Sequence, residues 1–177
     1  MRVSILGLGN VLMGDDGFGP YVIEHLRARY EFPAGVELED LGTPGLDLVP
    51  FLADTDRVVL VDTVTSDAAP GTMRLYRHAD IVRHEPGPRT GPHEPGVKAT
   101  LITLDIAGRA PNDLLLVGVV PARIAMTAGL TPELQAAVPG AVAAVVAELE
   151  RLGCAPRVRE TPLASEPWWE RTAVAEA

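Results

Sequence analysis

The amino-acid sequence predicts a single-domain α/β fold, a three-layer sandwich with helices on both faces of a twisted, five-stranded, mostly parallel sheet. Short apolar runs alternate with segments of helical periodicity in the order strand, helix, strand, helix, strand, which is the signature of a parallel sheet. Two of the runs are continuously apolar, as expected for strands that are buried on both faces. A length of 177 residues suits one domain with a sizeable core.

The first half of the chain supplies the parallel part of this sheet. Residues 3–8 form a short apolar run bounded by glycines, and residues 17–30 carry apolar side chains at helical spacing. Residues 36–41 alternate as a second strand, residues 46–53 predict a short helix, and residues 57–62 form a third strand. Because parallel strands need helical crossovers, this order predicts three parallel strands with helices packed against them.

The second half predicts one antiparallel edge strand and completes the sandwich. Residues 72–77 form this strand, since residues 63–71 are too few for a helical crossover from the third strand. A long proline-rich loop is predicted over residues 78–96. The remaining predicted elements are a helix over 97–108, a strand over 114–120 and a last helix that begins at Thr131-Pro132-Glu133.

The end of the chain differs from the rest in composition. Residues 154–177 are rich in Pro, Arg, Glu and Ser, a composition that buries little apolar surface. The sequence therefore predicts an α/β domain over residues 1–153 and a disordered tail over residues 154–177, including Trp168 and Trp169.

Composition and charge exclude several classes of protein. The formal charge is −9 and the Lys and Arg residues form no basic stripe, so we expect no nucleic-acid partner. The single cysteine, Cys154, excludes an internal disulfide and any multi-cysteine metal site. The chain has no apolar run of the ~20 residues that a membrane span requires, and its first residues do not resemble a signal peptide. We expect a cytoplasmic monomer without a membrane partner.

Familiar nucleotide and hydrolase motifs are missing. Gly7-Leu8-Gly9 lies between a predicted strand and a predicted helix, but a dinucleotide fingerprint needs a third glycine where this chain has Leu12. The acidic pair Asp15-Asp16 would also repel a pyrophosphate from the helix N-terminus. The sequence contains no P-loop and no Gly-x-Ser-x-Gly elbow.

Three metal-competent side chains follow different elements of the predicted sheet. Asp16 comes after the first strand, Asp62 ends the third, and His93 lies in the proline-rich loop. Taken singly, each has an ordinary explanation: Asp15 or Asp16 would cap the first helix, Asp62 would stabilise a turn, and His93 would lie on the surface. Ligands bind at the carboxyl ends of parallel strands, where these three residues would converge. Two carboxylates and an imidazole suit nickel or zinc, and they leave coordination positions open.

A second cluster, Asp40-Leu41-Gly42-Thr43-Pro44-Gly45, follows the second strand. It predicts a glycine-rich strand-to-helix turn whatever its function. Because this strand is expected beside the first, Asp40, Gly42 and Thr43 would lie at the crevice and could hold an extended peptide there.

The chain resembles the [NiFe]-hydrogenase maturation endopeptidases over residues 1–152. The motifs that carry the resemblance occur in order along the chain: Gly7-Leu8-Gly9-Asn10-Val11-Leu12 with Asp15-Asp16, Asp40-Leu41-Gly42-Thr43-Pro44-Gly45, Val59-Leu60-Val61-Asp62, Pro70-Gly71-Thr72-Met73, Gly91-Pro92-His93, Leu115-Leu116-Val117-Gly118-Val119 and Gly129-Leu130-Thr131-Pro132. The resemblance implies a five-stranded sheet with one antiparallel strand. It also implies a carboxylate-dependent, aspartic-type endopeptidase that removes a C-terminal extension from a hydrogenase large-subunit precursor after nickel insertion.

In the resembled family, the metal-contacting residues correspond to Asp16, Asp62 and His93 of this chain. The resemblance implies that nickel arrives with the precursor and that the protein has no tightly bound cofactor of its own. Whether the metal or a carboxylate activates the attacking water stays open. Two other readings also stay open: a non-catalytic nickel chaperone or sensor that uses the same ligands, and a metallopeptidase with a resident metal.

Overall fold

The computed structural model describes residues 1–44, 48–83, 94–164, 167 and 169. Its strands are β1 (Val3–Leu8), β2 (Tyr30–Glu31), β3 (Val36–Gly42), β4 (Arg57–Thr63), β5 (Met73–Arg77), β6 (Asp113–Val119) and β7 (Arg157–Val158). Its α-helices are α1 (Phe18–Arg29), α2 (Val49–Leu52), α3 (His78–Arg83), α4 (Glu94–Ala107) and α5 (Pro132–Arg151). A short 3₁₀ helix, Asp15–Gly17, precedes α1.

The main sheet has five strands in the order β3-β1-β4-β6-β5. Strands β3, β1, β4 and β6 are parallel, and β5 pairs antiparallel with β6 at one edge. The predicted fold class is therefore confirmed, including the antiparallel edge strand. The chain adds β3 on one side of β1 and β4 on the other, so the direction of winding changes between β1 and β4.

Alternating residues of the central strands fill two apolar cores, one on each face of the sheet. Val59, Val61 and Val117 pack with side chains of α1 and α5. Leu60 and Leu116 point to the other face and pack with side chains of α2, α3 and α4, such as Leu101. Full burial of each such side chain contributes roughly 1.5–3 kcal/mol. None of the helices within the described ranges is both long and apolar enough to cross a membrane.

Helix α1 approaches the sheet unusually closely at its first turn. A Cβ atom on Gly19 would lie 2.3 Å from the carbonyl oxygen of Leu8 and 2.5 Å from that of Val61. Only a residue without a side chain permits this contact. Consequently, the start of α1 is fixed against the carboxyl ends of β1 and β4.

The predicted loop over residues 78–96 is wrong at both of its ends. Helix α3 occupies His78–Arg83 and buries Ile81, and α4 begins at Glu94. Pro95 therefore lies in the first turn of α4, where a helix tolerates proline because its N–H has no intrahelical partner there. The local sequence has only a weak tendency to form a helix, and the packing of Ile81 in the second core supplies the stabilisation that this tendency lacks. Residues 84–93, including His84 and His93, lie outside the described residues.

The prediction of a disordered tail is wrong for several of the tail residues that the structure describes, which are 154–164, 167 and 169. Strand β7 pairs antiparallel with β2, and the N–H of Leu163 donates to the carbonyl of Ala28 at 2.9 Å. The side chain of Trp169 is only 4% exposed, and its ring lies edge-on to Tyr21 with centroids 5.4 Å apart. Tertiary contacts with α1 and β2 provide the burial that the composition of the tail does not indicate.

An ion-pair network joins α5 to the strands β5 and β6. The buried carboxylate of Glu148 accepts hydrogen bonds from Arg77 at 2.6 and 2.9 Å and from Arg151 at 2.7 and 3.0 Å. Arg151 also donates to Asp113 of β6. Burial raises the pKa of Glu148, but the hydrogen bonds from Arg151 and Arg77 outweigh it and lower that pKa from 4.5 to about 2.

This network predicts a loss of stability in acid. Because the pKa of Glu148 is lower in the folded than in the unfolded protein, its contribution is complete above about pH 4.5 and is lost as the pH falls toward 2. At about 1.4 kcal/mol per pKa unit, and allowing for solvent at the arginines, we expect Glu148→Gln to destabilise the protein by about 2 kcal/mol at pH 7. Urea denaturation at pH 7 and pH 3 measures this difference. An equal deficit at both pH values would contradict the assignment.

Candidate functional site

The carboxyl ends of β1 and β4 form the point where the order of strands reverses. Gly7 of β1 is paired with Val61 of β4, so Leu8 and Asp62 come next on the two neighbouring strands. Open α/β sheets bind ligands at such a point, outside the carboxyl ends of the strands. The fold alone therefore directs attention to the residues at this edge.

Asp62 lies near the end of β4 and is only 3% exposed. Side chains alternate along a strand, so Asp62 shares the face of Leu60, which is the face covered by α4. Its Oδ1 accepts a hydrogen bond of 2.7 Å from the N–H of Thr63. Helix α4 begins at Glu94, directly after His93 in the sequence.

Asp16 lies in the 3₁₀ helix and is also 3% exposed. Cα atoms of this 3₁₀ helix lie within 8 Å of Cα atoms of β4. The Oδ2 of Asp16 accepts a 2.9 Å hydrogen bond from the N–H of Asn10. Gly9 makes this turn possible: its φ is 130°, and a Cβ there would lie 1.7 Å from the carbonyl oxygen of Asp16. The chain thus folds back so that Asp16 lies over the end of β1.

The two carboxylates share features of ligands to a cation. Each is buried, and each has one oxygen bonded to a backbone N–H, which fixes the orientation of the carboxylate. Hydrogen bonds of this kind orient carboxylates that bind metals. Within the described ranges, no group of three or more His, Cys, Asp and Glu side chains is arranged to hold a metal ion. The third predicted ligand, His93, lies outside those ranges.

Asp15 has a role that the sequence did not indicate. Neither Asp15 nor Asp16 caps α1, since the residue before the helix is Gly17 and no side-chain cap bond forms. Instead the fully buried carboxylate of Asp15 accepts four hydrogen bonds: from the N–H groups of Ala122 and Arg123, both at 2.8 Å, and from the N–H and hydroxyl of Thr131 at 2.7 and 3.0 Å. Asp15 therefore ties the turn that carries Asp16 to the start of α5.

The hydrogen bonds of Asp15 could not be predicted from the sequence, because its partners lie far away along the chain. Ala122 lies 107 residues after Asp15. The sequence indicated only that Thr131 is the N-cap of the last helix. The structure confirms Thr131 as that cap residue, but its hydroxyl donates to Asp15 rather than bonding to the first turn of α5.

The predicted peptide-contact turn lies beside the site. The carbonyl oxygen of Gly42 accepts a 2.8 Å bond from the N–H of Gly9, which places the turn next to the end of β1. The N–H of Gly42 donates to the carboxylate of Asp40 at 3.0 Å, and the φ of 58° at Gly42 is a conformation that favours glycine. Thr43 is exposed. Asp40 and Gly42 thus shape the turn, and Thr43 offers an exposed hydroxyl at the rim.

Comparisons with known proteins agree with this fold and its motifs. The family model HycI, described as hydrogenase maturation protease, matches residues 20–148. The hydrogenase 2 maturation protease of Escherichia coli K12 is 35% identical over 154 residues, which cover 86% of this chain and 93% of that protein. The hydrogenase expression/formation protein HoxM of Azotobacter vinelandii is 34% identical over 172 residues, covering 92% of this chain and 83% of the relative.

Solved structures give the same result. The hydrogenase maturating endopeptidase HybD from E. coli superimposes with a TM-score of 0.81 at 34% identity, covering 90% of this chain and 98% of that one. HybD from Thermococcus kodakarensis gives a TM-score of 0.65 at 29% identity, covering 86% and 99%. The resemblance inferred from the motifs is confirmed, and the chain belongs to the hydrogenase maturation protease family.

Proposed function

We propose that this chain is an endopeptidase that removes the C-terminal extension of a [NiFe]-hydrogenase large-subunit precursor after nickel has been inserted. Its family membership supports the peptidase activity and the hydrogenase precursor as substrate. The observation that carries the proposal is the placement of Asp16 and Asp62. These two buried and oriented carboxylates lie on neighbouring elements at the point where the order of strands reverses.

In this proposal the nickel ion belongs to the substrate. Asp16 and Asp62, with His93 as the third ligand, contact the ion that the precursor carries, and this contact brings the scissile bond to the crevice. Correct positioning of a reacting bond contributes on the order of 7–11 kcal/mol toward lowering a barrier. The exposed Thr43 holds the peptide beside β1, on the turn that Asp40 and Gly42 shape. Cleavage then depends on prior nickel insertion, because a precursor without nickel lacks the group that positions it.

The experiment compares nickel-loaded and nickel-free forms of one precursor, each incubated with the purified protein. We expect the mass of the extension to be lost from the nickel-loaded form and retained by the nickel-free form. Equal cleavage of the two forms would overturn nickel recognition. Formation of a stable complex without any loss of mass would instead identify a non-catalytic chaperone or sensor. A stoichiometric metal ion in the freshly purified protein would indicate a resident-metal peptidase.

A further inference from the structure

Two segments are joined beside the candidate site by backbone hydrogen bonds. The N–H of Gly14 donates to the carbonyl of Thr127 at 2.7 Å, and the N–H of Thr127 donates to the carbonyl of Leu12 at 3.0 Å. A third bond of 3.1 Å runs from the N–H of Asp15 to the carbonyl of Arg123. The segment before the 3₁₀ helix and the segment before α5 therefore form one surface.

Three large apolar side chains project from this surface into solvent. Leu12 is 49% exposed, Ile124 is 41% exposed and Met126 is 88% exposed. A single exposed apolar residue is ordinary, but a group of them marks a surface that binds another molecule. We call these three residues the rim patch. The backbone bonds of Gly14 and Asp15 to this segment place the rim patch beside the turn that continues directly into Asp16.

The rim patch is held in place rather than left to move. Asp15 accepts hydrogen bonds from the N–H groups of Ala122 and Arg123, on the segment that carries Ile124 and Met126. The same segment is anchored at its other end, where Thr131 donates two bonds to Asp15. A surface ordered before binding loses less conformational entropy when a partner docks.

We propose that the rim patch is the docking surface for the hydrogenase precursor, which contacts it through an apolar segment of its own surface near the scissile bond. This inference rests on the proposed function. A folded protein that brings one of its peptide bonds to Asp16 and Asp62 must also cover the surface next to them. The rim patch lies there, so the occupant is the substrate protein itself, and burial of apolar area on both sides favours the encounter.

The test measures the cleavage kinetics of the nickel-loaded precursor with the variants Ile124→Asp and Met126→Asp. The matched control is Ile106→Asp, at a position that is 84% exposed near the end of α4. The carbonyl of Arg109, just after α4, accepts a hydrogen bond from the N–H of Asp54, which lies just before β4. The end of α4 that carries Ile106 is therefore near the amino end of β4, whereas the candidate site lies at its carboxyl end. Thermal unfolding of each variant verifies that it is folded at the assay temperature.

We expect each rim-patch variant to raise KM about tenfold or more while kcat stays within about twofold, since a buried charge in the contact weakens docking and leaves the chemistry intact. The Ile106→Asp protein should match the wild type. Unchanged KM in folded rim-patch variants, or an equal rise in the control, would overturn the docking surface and leave the proposed function standing. Failure of the wild-type protein to cleave the nickel-loaded precursor would overturn both.

Discussion

Replacing Asp62 by asparagine should slow cleavage of the nickel-loaded precursor by at least on the order of 1,000-fold, which corresponds to about 4 kcal/mol in the barrier. Asparagine has nearly the same shape, and its side-chain oxygen can still accept the 2.7 Å bond from the N–H of Thr63. The substitution removes the negative charge that would contact the nickel ion of the substrate. The rate of release of the C-terminal extension, followed by mass spectrometry, measures the effect.

The same strand offers a matched control. Asp56 directly precedes β4 at its opposite end, has a side chain that is 46% exposed, and accepts a bond of 2.7 Å from the N–H of Arg2. Asp56→Asn should therefore cleave the precursor at the wild-type rate. Asp16→Asn and His93→Ala should behave like Asp62→Asn. A well-folded Asp62→Asn or His93→Ala protein that processes the precursor normally would refute the ligand assignment.

Replacing Asp15 by asparagine should reduce the free energy of unfolding by about 3–5 kcal/mol, among the largest effects of a single polar substitution. The fully buried carboxylate accepts hydrogen bonds on both oxygens, one on Oδ1 and three on Oδ2. An amide has only one accepting oxygen, and its NH₂ group would face N–H donors in either orientation. Urea denaturation at pH 7 measures the loss.

Substitutions at Thr131 should reduce the free energy of unfolding by smaller amounts, because they affect only one of the bonds to Asp15. Thr131→Val removes the single hydroxyl bond to Asp15 and should cost about 1 kcal/mol, while Thr131→Ser keeps a hydroxyl and should retain most of the stability. The backbone N–H of residue 131 donates to Asp15 in every case. An Asp15→Asn protein as stable as the wild type would show that these bonds do not fix the turn.

The position of Asp16 and Asp62 in the fold could be predicted because it follows from topology. Parallel strands end at one edge of a sheet, so acids that follow two apolar runs must approach each other there. The sequence pattern gives strand positions and continuous apolar character, which were enough to place Asp16 and Asp62 at the same edge. It could not separate the roles of Asp15 and Asp16, because the 3₁₀ turn decides which carboxylate bonds to Asn10 and which bonds to the segment before α5.

The tail shows the opposite case. Its composition predicts disorder, yet Trp169 is buried against Tyr21 and residues 157–158 pair with residues 30–31. A buried tryptophan stabilises the protein only where other segments form a pocket for its ring, and the sequence around the tryptophan does not indicate such a pocket. The same reason applies in part to Glu148: its pKa is lowered by Arg151 on the same helix and also by Arg77, which lies 71 residues away on β5.

By itself, the sequence determined the sheet, its antiparallel strand, the family and the end of the sheet that carries the candidate site, since these depend on periodicity, chain order and short motifs. The tertiary structure alone decided that Asp15 joins the turn that carries Asp16 to the start of α5, that the two segments carrying the rim patch are bonded to each other, and that part of the tail packs on α1. Those features arise from contacts between distant residues. Such contacts depend on side-chain direction and on the space that folding creates, and neither is written in a local pattern of residues.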